Sequence, residues 1–417
     1  MSRLLSSDVD MVVDPADSDV VVVNTCGFLG ASREESLAAI RRAVELKSHG
    51  VKGVVVTGCM VGNYAPLINA QAPGVDRLVD FADYRKISEY VDAIMPPAPG
   101  PRLPFTKPGK YVQARLTPAH FAYLKISEGC DHTCTFCVIP QIRGPMRSVP
   151  IEELLGRARR LVDMGAKELN LVAQDSTLYG VDIYGKRRLA DLMRALAEID
   201  GLRWIRLLYA YPTEVDENLL QVMAEGGKVL PYIDVPLQHS SDRMLKLMSR
   251  RSTTKDLEDL MDRLRARIPR LVVRTTFIVG FPGETEDDFK HLLDFTARRA
   301  FERMGAFAYS PEEGSPAFAM GEQVADAVKA ERVDTIMKLQ KSISGRYGQA
   351  RLGAEIDVLV DDPGADDRSG RGRSAADAPE IDGTVHFTGA APRAGGIARV
   401  RVERADDYDL FGTVVSS

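Results

Sequence analysis

Ser127-Glu128-Gly129-Cys130-Asp131-His132-Thr133-Cys134-Thr135-Phe136-Cys137 sets three thiols within eight residues, directly after the strand-like run Ala122-Tyr123-Leu124-Lys125-Ile126. What that run begins decides the fold. From about 114 to 346, short apolar runs alternate with amphipathic stretches. The candidate strands are Ala122–Ile126, Glu168–Val172, Trp204–Tyr209, Tyr232–Val235, Leu271–Val279 and Gly305–Tyr309. The helices between them have readable ends. Pro150 opens one whose apolar face carries Ile151, Leu154, Leu155, Ala158, Leu161 and Val162, and Gly165 closes it. Leu189–Ile199 stops at Gly201, and Leu219–Ala224 stops at Gly226-Gly227. Thr285 followed by acidic residues suits the cap and first turn of a helix reaching Arg299. Six strand–helix repeats predict a partial parallel (β/α)6 barrel with its active site at the carboxyl ends of the strands.

Upstream, the run Val20–Val23 ends in Asn24-Thr25-Cys26, and Val54–Val56 ends in Thr57-Gly58-Cys59. Between them Ser32–Lys47 carries Leu37, Ile40, Ala43 and Val44 on one face and stops at Gly50. This is a Rossmann-like β-α-β unit with parallel strands, which delivers both cysteines to the carboxyl edge of one sheet. The Pro-rich segment after Met95 is a linker by composition. Downstream, Ile356–Val360, Gly383–Phe387 and Ile397–Val402 are short strand-like pieces between Gly, Pro and Asp, the pattern of a small β-barrel. Asp361–Glu380 reads as a mobile loop. The expected domains are therefore 1–97, a linker at 98–115, a barrel at 116–345 and a small β-barrel at 346–417.

Composition narrows the function classes. With 417 residues, 45% of them apolar and 27% charged, large cores form, and a disordered or fibrous chain is excluded. A net charge of −5 makes the whole chain no electrostatic sink for nucleic acid, so no direct DNA partner is expected. No apolar run approaches the roughly 18 residues that cross a bilayer, and the start lacks the order of a signal peptide. Five cysteines are too few for a disulfide scaffold, which suits a reducing, cytoplasmic location.

Three thiols on one loop allow two metals. A structural zinc site wants four protein ligands, and no fourth cysteine follows Cys137. A 4Fe–4S cluster held by three thiolates leaves one iron open, which is what catalysis needs. Zinc is the weaker alternative.

Cys-x-x-x-Cys-x-aromatic-Cys after the first strand of a β/α barrel resembles the radical S-adenosylmethionine enzymes. The resemblance implies that Cys130, Cys134 and Cys137 hold the cluster, that its open iron binds S-adenosylmethionine, and that one electron releases a 5′-deoxyadenosyl radical. The N-terminal Cys26 and Cys59 with the downstream β-barrel look like the methylthiotransferases, which carry an N-terminal domain with its own cluster and a C-terminal TRAM domain. Gln174-Asp175-Ser176-Thr177-Leu178-Tyr179-Gly180, Pro236-Leu237-Gln238-His239, Gly280-Phe281-Pro282-Gly283-Glu284-Thr285 and Tyr309-Ser310-Pro311-Glu312-Glu313-Gly314 resemble the RimO type rather than the MiaB type. So do Asp377–Gly383 and Asp407-Tyr408-Asp409-Leu410. That type attaches a methylthio group to the β-carbon of an aspartate in small-subunit ribosomal protein S-twelve. The implied partners are that basic protein, the ribosome, and a reductase or flavodoxin-type electron donor. From Arg346 onward nine Lys and Arg face thirteen Asp and Glu, a balance of −4, which suits a basic protein better than tRNA.

The resemblance also implies three N-terminal cysteines, of which Cys26 and Cys59 match the later two. The third ligand of an auxiliary 4Fe–4S cluster is expected from a segment upstream of Met1, the other reading being an inactive or differently liganded chain. Alone, each of the two reads as a buried small hydrophobe; paired at one sheet edge they read as ligands. Gln174 and Asp175 occupy the place where the family holds the methionine amino group, and Gly280 and Glu284 the adenine side. Arg274, like Arg206, is a guanidinium for a carboxylate of cofactor or substrate, or else a barrel ion pair. His239 satisfies a strand end or touches substrate. The rival functions are a tRNA adenosine methylthiotransferase and a non-catalytic iron–sulfur protein.

Overall fold

A computed structural model describes residues 12, 14–81, 83–96, 117–364 and 369–415. The chain divides into two compact units. One gathers the N-terminal residues with Cys137–Gly144 and Ser310–Phe318, and the other holds the rest of the chain from Thr117 onward. The expected linker at 98–115 lies outside the described residues.

In the first unit β1 (Val20–Thr25), β2 (Gly53–Gly58) and β3 (Arg77–Val79) form a parallel sheet in that order. β2 is central and wholly buried, as a run of valines requires. β1 reads equally apolar but is only half-buried, because among the described residues it is an edge strand. Helix Gly30–Glu45 lays Leu37, Ile40 and Ala43 on the sheet.

In the second unit β4 (Phe121–Lys125) is followed by the two-residue ladder of β5 (Ser127–Glu128) with β6 (Arg147–Ser148). Then come β7 (Glu168–Val172), β8 (Trp204–Leu207), β9 (Val229–Asp234), β10 (Val272–Val279) and β11 (Arg303–Ala308). The six long strands run parallel in the order β11-β10-β9-β8-β7-β4, an open barrel as the repeats predict. Alternation sorts each strand's residues between two faces. Leu124, Leu169, Leu171, Ile205, Ile233 and Phe277 pack outward under helices such as Ile151–Asp163 and Glu286–Arg299. Both Thr253 and Thr285 close capping boxes, satisfying helix donors that would otherwise be orphaned.

β12 (Glu355–Asp362), β13 (Gly370–Ser374), β14 (Val385–Thr388), β15 (Ile397–Ala405) and β16 (Leu410–Val414) close into a small barrel around Val358, Val360, Val385, Phe387, Val400 and Leu410. The loop expected over Asp361–Glu380 is corrected here. β13 runs through it, and Arg373, Ser374 and Asp377 are buried. They are buried because this segment seals the amino ends of the parallel strands. Glu168 receives Arg206 on one oxygen, at 2.8 Å, and Arg373 on the other. Arg373 also grips Asp361, which His120 approaches at 2.6 Å. Arg303 pairs with Asp377, and the Tyr232 hydroxyl donates to Asp382 at 2.6 Å. Polar residues that read as loop are thus the floor of the barrel, interleaved with Trp204, Tyr232, Leu359 and Ala376. Among the described residues no helix is long and apolar enough to cross a membrane.

Candidate functional site

Beyond β5, Gly129 takes φ +82°, the left-handed turn that sends the chain into the coil bearing Cys130 and Cys134. A coil with no ladder of its own must be held by side chains, and four ties do so. The Met146 amide donates to Asp131 Oδ1 at 3.0 Å, and the Thr135 amide and hydroxyl donate to the carbonyls of Met248 and Leu247 at 3.2 and 2.8 Å. His132 Nε2 lies 2.7 Å from Asp175 Oδ2. Asp175 sits beyond β7, 3% exposed, and its other oxygen accepts the amide and hydroxyl of Thr177. Both oxygens of Asp175 are therefore engaged by protein donors, and this carboxylate acts on the cysteine loop. Neighbouring Gln174 keeps a buried Oε1 with no protein donor, an acceptor that a ligand N–H can satisfy.

The His132 ring lies flat on Tyr211, centroids 3.7 Å apart, and the Arg250 guanidinium lies 4.1 Å from the centre of that same ring. Arg250 donates Nη2 to the Pro236 carbonyl at 2.7 Å and brings Nη1 to 3.6 Å from Cys134 Sγ. Burial pushes the Tyr211 phenol up to about 12 against the pull of Arg250. Among the described residues no three His, Cys, Asp or Glu side chains stand close enough to enclose a metal ion. The fit of a cluster is therefore judged on donor chemistry. A buried thiol facing a guanidinium, on a loop with two further thiols, suits an anionic iron–sulfur group.

The remaining sequence candidates are tied into the barrel itself. Arg274, on β10, donates Nη1 to Asp234 at 2.9 Å and lies 3.6 Å from Asp382, so the ion-pair reading describes its place. Arg206 is likewise paired, with Glu168. Gly280 takes φ +71°, and a Cβ there would meet Lys329 Cγ at 2.3 Å. Glu284 accepts the Gly280 amide at 2.7 Å and the Phe281 amide at 3.3 Å on Oε2, and Arg332 at 2.8 Å on Oε1. Burial pushes its carboxyl up to about 7 while Arg332 and the two amides pull it down. Glu284 thus staples its own turn. His239 is wholly buried, accepts the Ser241 amide on Nδ1 at 3.0 Å, and is driven down to about 3 by burial. It is a neutral imidazole whose Nε2 has no hydrogen-bond partner, with Glu284 Oε2 3.9 Å away.

In the first unit Thr25 pairs with Gly58, so Cys26 and Cys59 leave adjacent strands at the same level, as the β-α-β reading requires. The crossing is tight. A Cβ on Gly58, at φ +102°, would meet the Thr25 carbonyl oxygen at 2.4 Å. Ser36 closes the turn by accepting the Cys26 amide at 3.0 Å. Cys26 is exposed and Cys59 half-buried. Helix Ile139–Arg143 of the same unit starts with the Ile139 amide 3.5 Å from Cys137 Sγ and ends with Arg143 Nη2 2.9 Å from Cys59 Sγ. Arg143 also stands over the Phe81 ring at 4.7 Å. Sequence reading missed Arg250, Tyr211 and Arg143. Each acts across long stretches of chain, 116 residues for Arg250–Cys134 and 84 for Arg143–Cys59, and carries no local signal.

Three family descriptions match along the chain: Uncharacterized protein family UPF0004 over residues 1–80, Radical SAM superfamily over 124–296, and TRAM domain over 352–415. A ribosomal protein uS12 methylthiotransferase RimO from Acetivibrio thermocellus is 42% identical, with 100% of this chain and 94% of that protein covered. The protein of the same name from Anaeromyxobacter sp. (strain K) is 44% identical, over 100% of this chain and 89% of its own length. Among solved structures, the radical S-adenosylmethionine methyltransferase TsrM from Kitasatospora setae superposes with a TM-score of 0.54 at 14% identity, covering 84% of this chain and 68% of that one, a likeness of fold.

Proposed function

The chain belongs to the RimO family of methylthiotransferases, and from that premise we propose that it methylthiolates the β-carbon of an aspartate in ribosomal protein uS12. We divide it for this task into an N-terminal domain at 1–97, a linker at 98–115, a radical S-adenosylmethionine barrel at 116–345 and a TRAM domain at 346–417.

Cys130, Cys134 and Cys137 are the proposed ligands of the radical cluster, and Cys26 and Cys59 two ligands of an auxiliary one. When bound, the first supplies the electron that splits S-adenosylmethionine, and the second accepts the methyl group on its way to the substrate. The protein's own part is placement. Asp175, through His132, fixes the loop on which the thiols ride. Gln174 offers its free oxygen to the methionine ammonium, and the Gly280 turn, held shut by Glu284, presents backbone at the adenine side. The acidic TRAM domain suits a basic ribosomal protein. A flavodoxin-type donor or reductase supplies electrons in the cytoplasm.

The observation that carries this reading is the three-thiol loop at the carboxyl end of the first strand of a parallel barrel. Anaerobic reconstitution with iron counting, followed by incubation with S-adenosylmethionine, a reductant and uS12, tests it. The expected products are 5′-deoxyadenosine and a methylthio mass gain on one uS12 aspartate. A mass gain on tRNA, or no 5′-deoxyadenosine, overturns it.

A further inference from the structure

Five arginines are buried among the described residues: Arg206, Arg250, Arg303, Arg332 and Arg373. A guanidinium taken out of water is costly unless a counter-charge meets it, and loss of the partner of a buried pair is strongly destabilising. Four of the five obey this. Arg206 and Arg373 share Glu168, Arg303 holds Asp377, and Arg332 holds Glu284. Arg250 does not. Among the described residues no carboxylate lies within ion-pair reach of it, and its polar contacts are a carbonyl and the sulfur of Cys134. Its Nε is buried without a partner.

This arrangement is supported from behind. Arg250 rests on Tyr211 at 4.1 Å, the Tyr211 ring is stacked on His132 at 3.7 Å, and His132 is fixed by Asp175 at 2.7 Å. A cation on an aromatic face is attracted to it without losing its charge, so the stack holds the guanidinium at the sulfur without neutralising it. The charge is therefore left for whatever the sulfur binds.

We propose that Arg250 is a positioning residue that raises the reduction potential of the radical cluster through Cys134, and that Tyr211, His132 and Asp175 are the stack that seats it. The inference rests on the cluster assignment made above. Adding one electron to a thiolate-bound cluster adds negative charge, while no proton or group moves. A fixed cation at a ligand sulfur stabilises the reduced form over the oxidised one, because hydrogen bonds and charge at the sulfurs are what set such potentials.

The test is a potentiometric titration of the full-length, anaerobically reconstituted protein with dithionite, followed by electron paramagnetic resonance. The signal that changes on adding S-adenosylmethionine identifies the barrel cluster. Arg250→Gln is expected to lower the reduced-to-oxidised ratio at fixed potential about tenfold, equivalent to 59 mV for one electron. Arg250→Lys, which keeps the charge but not the fork, is expected between Gln and wild type. Tyr211→Leu removes the ring beneath the guanidinium together with the phenol beside Cys134, whereas Tyr211→Phe removes the phenol alone. A severalfold lower ratio is expected in Tyr211→Leu and not in Tyr211→Phe, which decides the matter if Arg250→Gln fails to load iron, and an equal loss in both overturns the seating role. Wild-type potentials in a fully loaded Arg250→Gln or Tyr211→Leu protein overturn the inference and leave the cluster assignment standing. A wild-type protein with no S-adenosylmethionine-responsive signal overturns both.

Discussion

At the floor of the barrel Glu168 takes Arg206 on one oxygen and Arg373 on the other, and the carboxylates of Asp361, Asp377 and Asp382 are all met by donors. At the mouth, Arg250 faces a sulfur, and Gln174 Oε1, Gln238 Oε1 and His239 Nε2 are buried without partners. Two non-glycine residues there, Tyr209 and Gln238, hold φ at 60° and 72°. Each buried guanidinium at the floor thus has a carboxylate, while Arg250 at the mouth has none. A buried charge without a partner is costly, and on the function proposed above it is borne at the mouth for a bound group.

Substitutions at the two ends should therefore separate activity from stability. Cys134→Ala at the mouth is expected to cut 5′-deoxyadenosine formation roughly a thousandfold or more, about 4 kcal/mol of barrier, with little change in urea denaturation. If it unfolds the protein instead, the division fails. Glu168→Gln at the floor leaves Arg206 without its carboxylate and takes one of two from Arg373. It is expected to cost about 3–5 kcal/mol in urea denaturation, with product formation per folded molecule unchanged.

His239 sharpens the contrast through pH. Its folded pKa of about 3 lies below the ordinary histidine value, so between that value and about 6.5 the unfolded chain binds more protons than the folded one. Stability rises with pH across that window and is lost on acidification, by about 2 kcal/mol from pH 7 to pH 5. Denaturation at the two values should show this loss, and His239→Gln should abolish that part of it. The smallest effect is expected from Gly280→Ala, whose left-handed φ and close approach to Lys329 predict a loss of about 1–2 kcal/mol. A neutral result in thermal melts would show that the turn at the mouth yields.

Much of the fold was legible because it is periodic. The strands of the parallel barrel emerged within a few residues of their place, and so did the cysteines at the strand ends. Asp361–Glu380 was not legible. Its Gly, Asp and Arg residues carry the composition of a solvated loop, and only the distant Glu168, Tyr232 and Arg303 turn them into an interior. For the same reason Asp175 was found, but its action on His132 was not. Composition and spacing report what lies along the chain, and a hydrogen bond or ion pair between segments 150 or 205 residues apart leaves no trace in either.

The short helix Ile139–Arg143 brings its first turn to Cys137 and its last residue to Cys59. Five residues of α-helix span only about 6–7 Å, so Cys137 and Cys59, both in the first unit, are gauged by a common spacer. One added residue would swing Arg143 about 100° around the axis and carry it about 1.5 Å onward, off the sulfur altogether. Here the number of residues, more than their identity, keeps Arg143 in step with Cys59.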